Sequence, residues 1–210
     1  MLETVLIPAH ERNSRRLLMV LHGLGDSVAG YQWLPVALQL RWLNYLLVNA
    51  PDPYSGGFSW FDFMGNPGPD IARSRGLLFE LLEAQRKKGF APETTMLFGF
   101  SQGGLMALEV GLRYEHRVAG VIGVSGYVHE PEQALKELSR VAREQHFFVT
   151  HGTQDTLIPL HPVRQQIQLL QAAGLNLAWQ EFEKGHTIIE EEMIVIGNFV
   201  RARFDSAAAE

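Results

Sequence analysis

The chain of 210 residues contains no cysteine. Disulfides, thiolate metal sites and a cysteine nucleophile are therefore excluded, and any nucleophile must be an oxygen or a lysine. A basic surplus is missing too: 18 Lys and Arg stand against 23 Asp and Glu, a net charge of -5. That balance leaves no electrostatic footprint for nucleic acid or an anionic membrane surface. No apolar run approaches the roughly 18 residues of a membrane-spanning helix. The N-terminus has apolar Val5-Leu6-Ile7 but no positive stretch before it, so it does not read as a signal peptide, and a cytoplasmic location is expected. No Pro/Gly/Ser-rich linker or charge block divides the chain. With 46% hydrophobic residues, a single domain over residues 1–205 is expected, with 206–210 as a tail.

What is present is an alternation of short apolar runs and helix-like patterns. Residues 4–8, 16–22, 45–50, 94–100, 118–124, 146–151 and 176–182 read as strands, several of them almost wholly apolar, as strands buried on both faces of a parallel sheet must be. Between them, residues 31–42, the segment from Asp70 to Gly89, 102–114, 131–143, 162–173 and the stretch from Ile188 carry helical spacing. Asp70 is expected to cap its helix, and Glu190, Glu191 and Glu192 to sit in a first helical turn where the dipole favours anions. The pattern predicts an α/β fold: a mostly parallel central sheet with helices on both faces, and chemistry at the C-terminal strand ends.

One strand-turn-helix junction stands out. Gly99-Phe100-Ser101-Gln102-Gly103 puts a serine at the apex of a turn whose flanking glycines allow backbone segments to approach closely. Gln102 opens the following helix, so its N–H has no helical partner and can face a developing negative charge. After an early strand, His22-Gly23-Leu24-Gly25-Asp26 forms a second glycine-bearing loop. It lacks a Gly-x-x-x-x-Gly-Lys phosphate cradle, and Leu24 is its candidate for a second oxyanion donor. His22 reads as a strand-end residue that holds this loop. A near-match at Gly123-Val124-Ser125-Gly126-Tyr127 has a tyrosine in place of the second glycine, so Ser125 reads as a turn residue.

Downstream of Ser101 the aspartates are Asp155 and Asp205, and Asp205 lies at the C-terminal end. His161 stands beside Pro162 at a helix start close to Asp155, from which reaching both Asp155 and Ser101 is difficult, whereas His186 follows the last strand. Ser101, Asp155 and His186 thus occur at strand ends in the order that this architecture uses for a Ser-His-Asp triad. Residues 51–69 form a long Gly- and Pro-rich segment that nevertheless carries Phe58, Trp60, Phe61, Phe63 and Met64. Two readings are open: a satellite core under the segment, or an apolar wall for a substrate groove. If the first holds, the acyl pocket is to be sought near Leu24, Tyr127 and Ile158.

Leu21-His22-Gly23-Leu24-Gly25-Asp26, Ser59-Trp60-Phe61-Asp62, Gly99 to Gly104, His151-Gly152-Thr153-Gln154-Asp155 and Gly185-His186 together resemble the carboxylesterase and acyl-protein thioesterase family of α/β hydrolases. The resemblance implies a single-domain serine hydrolase without cofactor or metal, acting on small carboxylic esters or acyl thioesters, with acylated proteins and lysophospholipids as further substrate classes. It implies Ser101 as nucleophile, His186 as base, Asp155 as its orienter, and the N–H groups of Leu24 and Gln102 as oxyanion donors. A monomer or homodimer is expected. The segment from Tyr54 to Phe58 departs from the family patterns and leaves the acyl preference open. The rivals are a non-catalytic binding module on the same fold and a peptidase or acyltransferase using the same triad.

Overall fold

The computed structural model describes residues 2–206; Met1 and residues 207–210, most of the expected tail, lie outside the described residues. Seven strands form the main sheet: β1 (Thr4–Ile7), β2 (Arg16–Leu21), β3 (Leu43–Val48), β6 (Thr95–Phe100), β7 (Gly120–Val124), β8 (Phe147–Gly152) and β9 (Leu177–Phe182). Their spatial order is β1-β3-β2-β6-β7-β8-β9. Only β1 runs antiparallel, against β3. Alternation explains why the central strands are apolar throughout. In β2, Leu17, Met19 and Leu21 enter the core on one face, while Leu18 and Val20 enter the core on the other.

Helices α2 (Gly68–Lys87), α3 (Gln102–Arg113) and α5 (Leu160–Ala172) contribute to the first core, and α1 (Leu34–Leu38) and α6 (Glu190–Ser206) to the second. Eleven of the twelve α3 residues are buried, so this helix has no polar face to display and occupies the centre of its layer. No helix among the described residues is long and apolar enough to cross a membrane.

Four elements differ from expectation. The helix expected over 31–42 breaks into a 3-10 turn, Val28–Tyr31, and the five-residue α1, which ends where Gln39 turns left-handed at φ 52°. The helix expected over 131–143 stops as α4 (Pro131–Lys136), and the following turn is held by the Ser139 N–H on Leu112 O. Asp70 is not the cap of α2. Pro67 occupies that place, and the Asp70 carboxylate sits in the first turn, where it accepts the Asp62 N–H at 3.2 Å. The segment over 51–69 contains a hairpin, β4 (Asp52–Tyr54) and β5 (Gly57–Ser59), joined by Ser55 and Gly56, both at positive φ. A two-residue turn of that hand matches the twist of the flanking strands. The hairpin docks on the loop after β2 through Gly25 N–H to Phe58 O and Phe58 N–H to Asp26 O, both 2.9 Å. A Cβ on Gly57 would fall against the Gly25 and Asp26 carbonyls, so only glycine allows this approach.

Candidate active site

Ser101 joins β6 to α3 with φ 55° and ψ -118°, a conformation that a non-glycine residue adopts only when the surroundings impose it. They do so through backbone contacts. A Cβ on Gly99 would strike the Gly103 carbonyl, and one on Gly103 would strike the Leu21 carbonyl, which welds the turn to the end of β2. The Ser101 N–H donates to Val124 O at 2.9 Å and its carbonyl accepts the Leu105 N–H at 3.0 Å. Strain of this kind costs on the order of 1–3 kcal/mol and holds the hydroxyl clear of the backbone.

The loops after β6, β8 and β9 bring three side chains into one chain of hydrogen bonds. Ser101 Oγ lies 2.8 Å from His186 Nε2, and His186 Nδ1 lies 2.7 Å from Asp155 Oδ2. The other carboxylate oxygen, Oδ1, accepts the N–H groups of Leu157 and Ile158 at 3.0 and 2.9 Å. Burial alone raises the Asp155 pKa. The hydrogen bonds from Ile158 and His186 outweigh it and hold the group below its usual range. An ionised Asp155 accepts from Nδ1–H, which leaves Nε2 free to accept the serine proton.

That depressed pKa links stability to pH. A carboxylate held below its unfolded value, about 3.9, stabilises the fold above that pH and loses its contribution as the pH falls through the lower folded value. The urea midpoint of Asp155→Asn should therefore lie below wild type between about pH 5 and 7 and converge on it below about pH 4. A gap that stays constant down to pH 3 contradicts this.

Ser101 and His186 open onto a cavity of about 710 Å³, which Leu24 and Gln102 also line. Gln102 is the first residue of α3, where a backbone N–H has no partner within the helix. Next to Leu24, the Gly25 and Asp26 N–H groups are taken by Phe58 O and Gly23 O. Of the aromatic cluster, only Phe61 and Phe63 line the cavity, together with Tyr127 and Ile158. Phe58, Trp60 and Met64 do not. Trp60 is fully buried, its indole N–H on His22 O at 2.9 Å. Phe58 is half-buried with its ring centroid 6.3 Å from that of His22, and Met64 is 80% exposed. The segment is thus split between core and wall, because Gln102 pulls residues 59–61 inward. Its Oε1 accepts the Trp60 N–H at 3.0 Å, and its Nε2 donates to Phe61 O at 3.0 Å.

The sequence pattern of the phospholipase/carboxylesterase family matches residues 2–203. The chain belongs to this family. It is 32% identical over 155 residues to acyl-protein thioesterase 1 of Schizosaccharomyces pombe, covering 68% of this chain and 69% of that protein. It is 25% identical over 223 residues to acyl-protein thioesterase 1 of Gibberella zeae, covering 94% of each. Among solved structures it resembles esterase PE8 with a TM-score of 0.84 at 24% identity, over 96% of this chain and 98% of that one. It also resembles a Bacillus cereus carboxylesterase with a TM-score of 0.83 at 19% identity, over 97% and 95%. These structural likenesses carry the α/β-hydrolase fold, and the family makes the chain a serine hydrolase.

In this family member, several contributors to the site carry little sequence signal of their own. The cavity is also lined by Leu157, Pro159, Pro162, Val163 and Gln166, of which only the apolar Leu157-Ile158-Pro159 run after Asp155 hints at a lining role. His151 is fully buried. Its Nε2–H donates to Ile158 O at 2.8 Å and sits 3.6 Å from Asp155 Oδ2, its ring stacks on Trp179, and its Nδ1 has no hydrogen-bond partner among the described residues. Burial pulls the His151 pKa down, so the ring serves as a neutral donor that braces the wall beside Asp155. His22 holds its loop as expected: Nε2 accepts the Ala50 N–H at 3.0 Å, and Nδ1 lies 2.6 Å from Gly23 O. His161 is exposed on α5 and is absent from the cavity lining. Ser125 is buried at φ 49° as a turn residue at the end of β7.

Proposed function

We propose that this serine hydrolase cleaves carboxylic esters and acyl thioesters through an acyl-enzyme on Ser101. The observation that carries the reading is the continuous Ser101–His186–Asp155 hydrogen-bonded chain opening onto an apolar-walled cavity. His186 Nε2 takes the Ser101 proton as Oγ adds to the acyl carbonyl. The N–H groups of Leu24 and Gln102 receive the tetrahedral oxyanion. Asp155 keeps the imidazole in the productive tautomer and stabilises its cationic form. His186 then protonates the leaving alcohol or thiol, and a water activated by the same imidazole releases the acid. A binding module would have no use for this arrangement, and a bounded apolar cavity suits an acyl chain better than an extended peptide. The names of the fungal relatives point to acylated proteins as a substrate class. The test is a fluorophosphonate probe followed by thioester and ester turnover. Ser101 should be the labelled residue, and labelling at another position, or none in folded protein, removes the reading.

The reading puts the acyl chain in this cavity, against Phe61, Phe63, Tyr127, Leu157, Ile158 and Val163. Each buried CH₂ contributes about 0.8 kcal/mol, so kcat/KM should rise by up to about fourfold per carbon along a nitrophenyl ester series until the cavity is filled, and then fall. Leu157→Ala and Phe63→Ala should flatten that rise. Met64→Ala, outside the cavity, should leave the profile unchanged. A profile insensitive to both wall substitutions would move the acyl site elsewhere.

A further inference from the structure

The nucleophile is fixed by the turn that ends β6, and the Asp155 carboxylate by the Leu157 and Ile158 N–H groups, but His186 sits on a loop between β9 and α6 that contains Gly185 and has no regular structure of its own. Something must hold that loop. Lys184 is buried beneath it, its side chain 1% exposed, against a Glu192 side chain that is 0% exposed. The ammonium donates to both Glu192 carboxylate oxygens at 2.6 Å, to Thr187 O at 2.7 Å and to Ser125 Oγ at 3.3 Å. Those contacts reach three separate parts of the fold: the first turn of α6, the turn after β7, and the base loop itself.

The decisive contact is the one to Thr187. Lys184 and Thr187 flank Gly185-His186, so the bond from Lys184 Nζ to Thr187 O closes a ring around the base. The Lys184 backbone is fixed as well. Its carbonyl accepts the Gln154 N–H at 3.0 Å, one residue from Asp155, and a Cβ on Gly152 would strike that carbonyl. We propose that the buried Lys184–Glu192 pair is a positioning device that holds His186 in line between Asp155 and Ser101. Stability alone is a poor account of the pair, because buried ion pairs are often no more stabilising than apolar side chains of like volume. Geometry is a better one: a displacement of about 1 Å in a catalytic group can cost about 10²-fold in rate. Glu192, read from the sequence as a dipole-complementing residue, acts chiefly as the counter-ion that keeps the ammonium in place.

The inference rests on His186 being the base. Its test is the double variant Lys184→Met/Glu192→Leu, which replaces the pair by apolar groups and leaves no buried charge unpaired. Thermal unfolding should stay within a few degrees of wild type. The kcat for a nitrophenyl ester should fall by about tenfold to a hundredfold with KM little changed, because the cavity is intact and the base is misplaced. A folded double variant with kcat within about threefold of wild type overturns the proposal. If the double variant does not fold, Glu192→Gln decides. The neutral amide no longer pins the ammonium that holds Thr187 O, so kcat in the folded variant should fall by about tenfold with KM little changed, and a folded Glu192→Gln with kcat within about threefold of wild type overturns the proposal. Ser101→Ala is assayed alongside. Turnover by that variant would mean that the catalytic reading has failed, whereas an inactive Ser101→Ala beside an unimpaired double variant removes only the positioning role.

Discussion

Ser101→Ala is expected to lower kcat for ester hydrolysis by about 10⁴ to 10⁶ while the protein stays folded. The hydroxyl is the only part removed. The backbone of the turn is fixed by the Val124 and Leu105 hydrogen bonds and by the Gly99 and Gly103 approaches, none of which involves Oγ. Far-UV circular dichroism and Tm should therefore change little, and residual rate should come from the oxyanion donors and binding alone. Near-normal turnover in a folded, host-esterase-free preparation would sink the mechanism.

Asp155→Asn should be almost as severe, about 10⁴ in kcat, for a reason that the hydrogen bonds dictate. The Leu157 and Ile158 N–H groups both point at Oδ1, a position that must remain an acceptor. The amide oxygen of an asparagine is drawn there, and its NH₂ is turned toward His186 Nδ1. That nitrogen must then accept, which places the imidazole proton on Nε2, facing Ser101 Oγ. The base becomes a donor in the ground state and cannot take the serine proton. Single-turnover acylation, measured beside Ser101→Ala and wild type, reads this directly. An Asp155→Asn rate within tenfold of wild type would show that tautomer control is not what the aspartate supplies.

Much of this arrangement was legible because it rests on local rules. Apolar strands alternating with helical patterns specify the layered sheet, and Gly99-x-Ser101-x-Gly103 specifies its own turn, since each glycine stands where a backbone carbonyl excludes a Cβ. The chain order of Ser101, Asp155 and His186 at strand ends carried the candidate triad. What stayed hidden depends on contacts between distant segments. The hairpin at β4 and β5 has three residues per strand, too few to display a period, and exists because Phe58 finds Gly25 and Asp26 as hydrogen-bonding partners. The division of the aromatic cluster follows from the Gln102 side chain, 41 positions away from Phe61. Lys184 is hidden for the opposite reason: a lysine beside a glycine in a polar loop reads as solvated, and only the fold supplies Glu192, Ser125 and Thr187 O around it.

The residues that line the cavity are not equally free to change. Gln102 lines the cavity next to Ser101 in sequence, and its side chain binds Trp60 N–H, Phe61 O and Ser59 Oγ, so a substitution at Phe61 also tugs on the turn that bears the serine. Leu157, Pro162 and Val163, on the loop before α5 and in its first turn, make none of the hydrogen bonds to the Gln102 side chain. A library meant to widen or narrow the acyl range should therefore randomise the exposed Leu157 and Pro162 and leave Ser59, Phe61, Gln102 and the core residue Val163 alone. In a lineage under selection for a new acyl group, accepted changes should accumulate at Leu157 and Pro162 first.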